Sequence, residues 1–168
     1  MIQLKKDISQ FEESFFKEVS IFKESSNTFN INDNNDSNSI NELVTYCYNV
    51  LLENNIVCKK DGWIGRIHYT ELFGEKVISK ISNYEMNKVL KCDVYTIVIW
   101  FRKGEYIIGG DILVYENTEG RGKEKYKSQI EPYTHLLIDG GIHFNIDTYE
   151  GYGEYGFLEI SFRKKERM

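Results

Sequence analysis

The chain has 168 residues, of which 41% are hydrophobic and 14% aromatic, and its formal net charge is −5 at pH 7. That length suits one domain around one core, and the acidic balance argues against a nucleic-acid backbone as partner. No apolar run is long enough to cross a bilayer. The first residues, with Lys5, Lys6 and Asp7 ahead of an amphipathic stretch, lack a signal-peptide apolar region, so a soluble, cytoplasmic protein is expected.

Ile8, Phe11, Phe15, Val19 and Phe22 recur at helical spacing and predict a first amphipathic helix. The following stretch, near residues 25–38, is rich in Asn, Asp and Ser and reads as a flexible loop. Ser39 and Glu42 then form a capping-box pattern. The helix they open places Ile40, Leu43, Val44, Cys47, Val50 and Leu51 on one face, and Asn54-Asn55 ends it. Cysteines Cys47, Cys58 and Cys92 are odd in number and match no zinc spacing. They read as buried free thiols.

Beyond residue 60 the texture changes to short β-branched and aromatic runs separated by Gly, Asn or charged residues. The predicted strands cover residues 62–69, 77–84, 94–101, 107–115, 126–130, 135–138, 142–146 and 155–162. The expectation is an α+β chain with a single domain over residues 1–168: helical support over 1–60 and a double-stranded β-helix (jelly roll) over 61–168. Gly151 to Gly156 reads as a flexible hairpin tip bearing two exposed tyrosines, Tyr152 and Tyr155. Glu119 to Lys125 reads as a solvated charged loop. The sequence displays no phosphate-cradling Gly loop and no nucleophile with a matching base.

One set of motifs carries more. Tyr84 is followed by the strand Tyr95-Thr96-Ile97-Val98-Ile99-Trp100-Phe101 and the turn Gly109-Gly110-Asp111-Ile112. Then come Glu131-Pro132-Tyr133-Thr134-His135-Leu136-Leu137-Ile138, the isolated His143 and a last strand ending in Phe162-Arg163. In order and content this resembles the core of the iron(II)/2-oxoglutarate-dependent oxygenases, especially their prolyl-hydroxylase-like branch. The resemblance spans about half the chain.

The resemblance implies an iron centre held by two His and one carboxylate, with a basic side chain pairing the far carboxylate of 2-oxoglutarate. It places His143 as the distal metal ligand. At the proximal His-x-Asp it finds Lys91-Cys92-Asp93, so Asp93 is the remaining metal candidate and Lys91 replaces the imidazole. A protonated Lys has no lone pair to offer a metal. The co-substrate Arg falls near Tyr155, while Arg163 lies at the far end of the strand. Tyr84, Tyr155 and Arg102 are therefore the cofactor-binding candidates, with Lys103 as a neighbour to Arg102; no catalytic residue is assigned. His68 lies on a separate predicted strand, and His135 reads as structural.

With the proximal His and the co-substrate Arg both missing, the expected function is a degenerate oxygenase-like domain. It would be catalytically inactive and act as a protein-binding or regulatory module. Its partner would be a protein, met near Tyr84, Tyr106, His143, Tyr152 and Tyr155. The alternative is an active Fe(II)/2-oxoglutarate-dependent dioxygenase with displaced ligands, His68 or Asp93 together with His143; only then would Fe(II) and 2-oxoglutarate be cofactors. A cupin-like binder is a third reading, but its grouped blocks of His and Glu are absent.

Overall fold

The computed structural model describes residues 2–5, 28–79, 81–83, 91, 93–115, 124–128, 134–139 and 142–165. In chain order its elements are β1 (Ile2–Lys5), β2 (Thr28–Asn32), α1 (Asn38–Glu53), β3 (Ile64–Val77), β4 (Val94–Lys103) and β5 (Tyr106–Gly109). They continue with β6 (Ile112–Tyr115), β7 (Glu124–Ser128), β8 (Thr134–Asp139), β9 (His143–Ile146) and β10 (Tyr149–Arg163). The first predicted helix lies outside the described residues.

Helix α1 buries Ile40, Leu43, Val44, Cys47, Val50 and Leu51, the face its spacing predicts. Its cap differs from expectation. Ser37, not Ser39, is the N-cap: extended in backbone, it accepts from the Ile40 N–H at 3.2 Å. Asn54 closes the C-terminus, its N–H reaching the Leu51 carbonyl at 3.0 Å.

The strands form two antiparallel sheets. The larger runs β1-β8-β4-β10-β3-β2, with β5 also paired to β10, and the smaller runs β7-β6-β9. Alternation along the larger sheet sorts its side chains. Ile97, Ile99, Leu158, Ile160 and Phe162 pack with α1, whereas Val98, Trp100, Leu136, Ile138 and Phe157 join Ile112, Val114, Phe144 and Ile146 of the smaller sheet. The chain thus has one apolar layer under the helix and a second between the sheets. No helix among the described residues is long and apolar enough to cross a membrane.

Several predicted boundaries shift. The Asn-rich loop near 25–38 contains β2, because Phe29 and Ile31 alternate with polar neighbours and bury against the core. The predicted strand over 77–84 is not one element: β3 itself runs on to Val77, and Ser82 makes an isolated bridge to Asn145. Asn83 holds that segment to β9, accepting from the Phe144 N–H at 2.8 Å and donating to the Ile142 carbonyl at 2.9 Å. The predicted strand over 107–115 breaks at Gly109 and Gly110, whose φ values are +89° and +73°. A Cβ on Gly110 would lie 2.5 Å from the Tyr155 ring, so glycine is required there for space as well as for backbone. The supposed hairpin tip at 151–156 lies inside β10, which pairs β3 on one side and β4 and β5 on the other.

Candidate functional site

The inner face of β3 is polar where the surrounding layer is apolar. Ile67 and Tyr69 point towards α1, so Arg66, His68 and Thr70 point the other way. On β10 the same alternation turns Glu159 and Ser161 inward, while Leu158, Ile160 and Phe162 face the helix. Register brings these groups together: Arg66 lies opposite Glu159 and His68 opposite both Phe157 and Thr28.

Glu159 is fully buried, and an unpaired carboxylate there would be very costly. Two cation-capable side chains answer it. Arg66 Nη2 donates to Glu159 Oε1 at 2.8 Å and Arg66 Nε lies 2.7 Å from Oε2. His68 Nε2 lies 2.7 Å from the same Oε2. Burial pushes the carboxyl up, but the Arg66 guanidinium and the His68 hydrogen bond outweigh it and hold the group below the ordinary carboxylate range. An ionised carboxylate only accepts, so His68 Nε2 must carry the proton. His68 Nδ1 then faces Thr28 Oγ1 at 3.0 Å. Phe157 stacks on the imidazole, with ring centroids 4.3 Å apart.

A partly open cavity of about 330 Å³ adjoins this cluster. Thr28, Arg66, His68 and Thr70 form its polar wall, and Val77, Ile81, Tyr149 and Tyr155 its apolar one. Tyr155 donates to the Gly110 carbonyl at 2.5 Å and accepts from Trp100 Nε1 at 3.1 Å. Its ring stacks on Tyr149 at 4.3 Å, and burial pushes its phenol well above the ordinary tyrosine value.

The residues singled out in the sequence lie apart. His143 and Asn145 alternate with the inward Phe144 and Ile146 on β9, which puts them on the opposite face of the smaller sheet. There His143 Nε2 meets Asn145 Oδ1 at 2.9 Å beside the Tyr115 ring, and burial lowers its pKa below the ordinary histidine value. Asp93 is exposed ahead of β4, its carbonyl accepting from the Lys164 N–H at 3.0 Å. Arg102 pairs Glu154 at 3.2 Å. Tyr84 lies outside the described residues. His135 faces α1, its Nε2 3.1 Å from the Tyr46 hydroxyl.

The chain's three histidines therefore occupy three separate places: between the sheets, under α1, and on the far face of the smaller sheet. An iron(II) centre needs two imidazoles and a carboxylate converging on one point, and this placement does not fit one. Among the described residues no three His, Cys, Asp or Glu side chains are grouped to hold a metal. The expected contact surface is also divided: Tyr106 and Tyr152 are 69% and 63% exposed, but His143 and Tyr155 are buried.

Sequence reading passed over Arg66 and Glu159 and met His68 only as a displaced metal ligand. Their signal was the alternation itself, since a buried strand with charged residues every second position must find them partners across the sheet.

No family model matches the sequence, and no curated protein matches it. Solved structures do. A prolyl-4-hydroxylase from Pseudomonas putida superposes with a TM-score of 0.59 at 8% identity, over 98% of this chain and 92% of that one. The viral collagen prolyl hydroxylase of Paramecium bursaria Chlorella virus-1 gives 0.56 at 10% identity, over 98% and 90%. A 2OG-Fe(II) oxygenase family oxidoreductase from Burkholderia pseudomallei gives 0.56 at 8% identity, over 98% and 88%. At such identities the likeness is one of architecture, and on that ground the chain has the fold of the prolyl-hydroxylase-like 2OG-Fe(II) oxygenases.

Proposed function

We propose that the two sheets are the halves of a double-stranded β-helix, and that this domain is an oxygenase scaffold used for binding a protein rather than for iron chemistry. The winding supports the first part. After β3 in the larger sheet, the Ser82 bridge joins the smaller; β4 returns to the larger, β6 and β7 to the smaller, and β8, β9 and β10 alternate again. The observation that carries the second part is the dispersal of the imidazoles, each held by a different partner. The space between the sheets is also occupied by Trp100, Phe144, Tyr155 and Phe157, all fully buried.

The partner surface is read from register. Phe73 on β3, Tyr152 on β10 and Tyr106 on β5 are directly opposite one another, so their rings share one face. All three are exposed, as is Ile108 two residues beyond Tyr106. Such a row of large apolar groups suits protein contact better than water.

The test is calorimetric titration with Mn(II) and 2-oxoglutarate, followed by an anaerobic Fe(II) turnover assay. Neither binding at micromolar concentration nor 2-oxoglutarate turnover is expected. Turnover that disappears in His143→Ala would establish the displaced-ligand dioxygenase instead. For the surface, a Phe73→Ser/Tyr106→Ser/Tyr152→Ser variant should lose the cross-linked partners of the wild-type protein while keeping its melting temperature. Retention of every partner would refute the surface assignment.

A further inference from the structure

We propose that Thr28, His68 and Glu159 form a nucleophile–base–acid relay, and that the Thr28 hydroxyl is an acyl acceptor for small neutral esters or thioesters. The inference is independent of the binding function, because no metal or co-substrate site enters it.

The geometry is that of a side-chain hydroxyl aligned on a base that a third group orients. Thr28 Oγ1 lies 3.0 Å from His68 Nδ1, and His68 Nε2 lies 2.7 Å from Glu159 Oε2. Arg66 keeps the buried carboxylate ionised, so Nε2 is the imidazole nitrogen that donates to it, and the neutral ring, the working form of the relay, presents its Nδ1 lone pair to Thr28. Strand pairing sets the alignment: Thr28 and His68 are cross-strand partners, and Phe157 clamps the imidazole plane from below. Thr28 is exposed and lines the 330 Å³ cavity together with His68, so the hydroxyl is reachable from solvent while its base is buried. A purely structural ion cluster does not require a hydroxyl at the cavity wall.

The cavity indicates the substrate. Its positive charge, on Arg66, is already matched by Glu159, which disfavours an anionic ligand. Val77, Ile81 and Tyr149 offer an apolar wall for a short acyl chain. Arg66, whose Nη2 donates to Ser82 and Glu159, lines the cavity and is the positive charge that would meet the developing oxyanion of a bound ester. In the transfer, Thr28 Oγ1 bonds to the carbonyl carbon as its proton passes to His68 Nδ1. The ester C–O bond breaks, and the alcohol leaves with that proton. Water then attacks the acyl-threonine, giving its proton to Nδ1, and the regenerated hydroxyl takes it back as the acid departs.

The probe is p-nitrophenyl acetate on the full chain, followed by p-nitrophenolate release and peptide mass mapping. Wild-type protein should carry one acetyl group on Thr28. Thr28→Val, isosteric and on an edge strand, should keep the wild-type melting temperature and slow release by about a hundredfold, the scale of a lost general-base step. Thr28→Ser should retain the adduct. Glu159 acts through the imidazole as a positioning residue, so its readout is the tautomer. Imidazole nitrogen shifts should show His68 protonated at Nε2 in the wild type, and Glu159→Gln should move the proton towards Nδ1. Wild-type release by Thr28→Val, acetylation confined to lysines or tyrosines, or an Nδ1–H tautomer in the wild type would each overturn the proposal.

Discussion

Glu159 is the residue on which the inter-sheet polar cluster depends. Its folded-state pKa is depressed below the ordinary 4.5 by Arg66 and His68 despite burial. The sign follows from linkage: the unfolded chain binds the proton more readily, so this group stabilises the fold above the ordinary carboxylate range. That stability is lost as pH falls through the depressed folded value. Urea midpoints taken from neutral pH into the acid range should therefore decline for the wild type and decline less for Glu159→Gln. At neutral pH the same substitution should cost about 3 kcal/mol, because Arg66 and His68 lose their counter-charge. Tyr155 is the second such residue. Tyr155→Phe strands both the Gly110 carbonyl and Trp100 Nε1, and should cost about 1–3 kcal/mol in the same assay. Burial pushes the Cys58 thiol up to about 11 and the Cys47 thiol higher still. In a Cys92→Ser background both should resist a thiol reagent in the native state and react once the chain is unfolded.

Among the elements, α1 tests how a cap is read. Both Ser37 and Ser39 precede the apolar stripe, and the capping-box pattern favours Ser39. The backbone instead turns two residues earlier, where Ser37 is extended and its hydroxyl accepts from the Ile40 N–H. Thermal melts should show Ser37→Ala destabilised by about 1 kcal/mol, with Ser39→Ala close to wild type. Strand β2 shows the opposite weakness of composition. Its Asn-rich setting masks two apolar residues, Phe29 and Ile31, whose alternation was the stronger signal. In β10, glycines at 151 and 153 suggest a turn, yet both adopt positive φ within a continuous strand that β3 and β5 hold from either side.

For the whole molecule, the architecture of an oxygenase and the placement of its histidines point in different directions. A metal-dependent fold would lose stability to a chelator. Here the sheets are joined by apolar layers on both faces of the larger one, so excess EDTA should leave the melting temperature unchanged. A drop of several degrees, restored by Fe(II), would contradict that expectation.

The buried face of α1, the change to strands after it and the likeness to oxygenases were legible in the sequence, because hydrophobic periodicity and turn chemistry are local properties; β1 and β2, ahead of α1, were not. His135 was likewise legible as structural, sitting in an apolar strand that had to be buried. Which histidines meet, and on which face of a sheet, was not legible. A shift of one residue inverts a strand's faces, so nothing local to His143 decides whether it points between the sheets or away from them. Thr28, His68 and Glu159 are 91 positions apart in the case of the latter pair, and only the pairing of β2, β3 and β10 turns three unremarkable residues into one hydrogen-bonded chain.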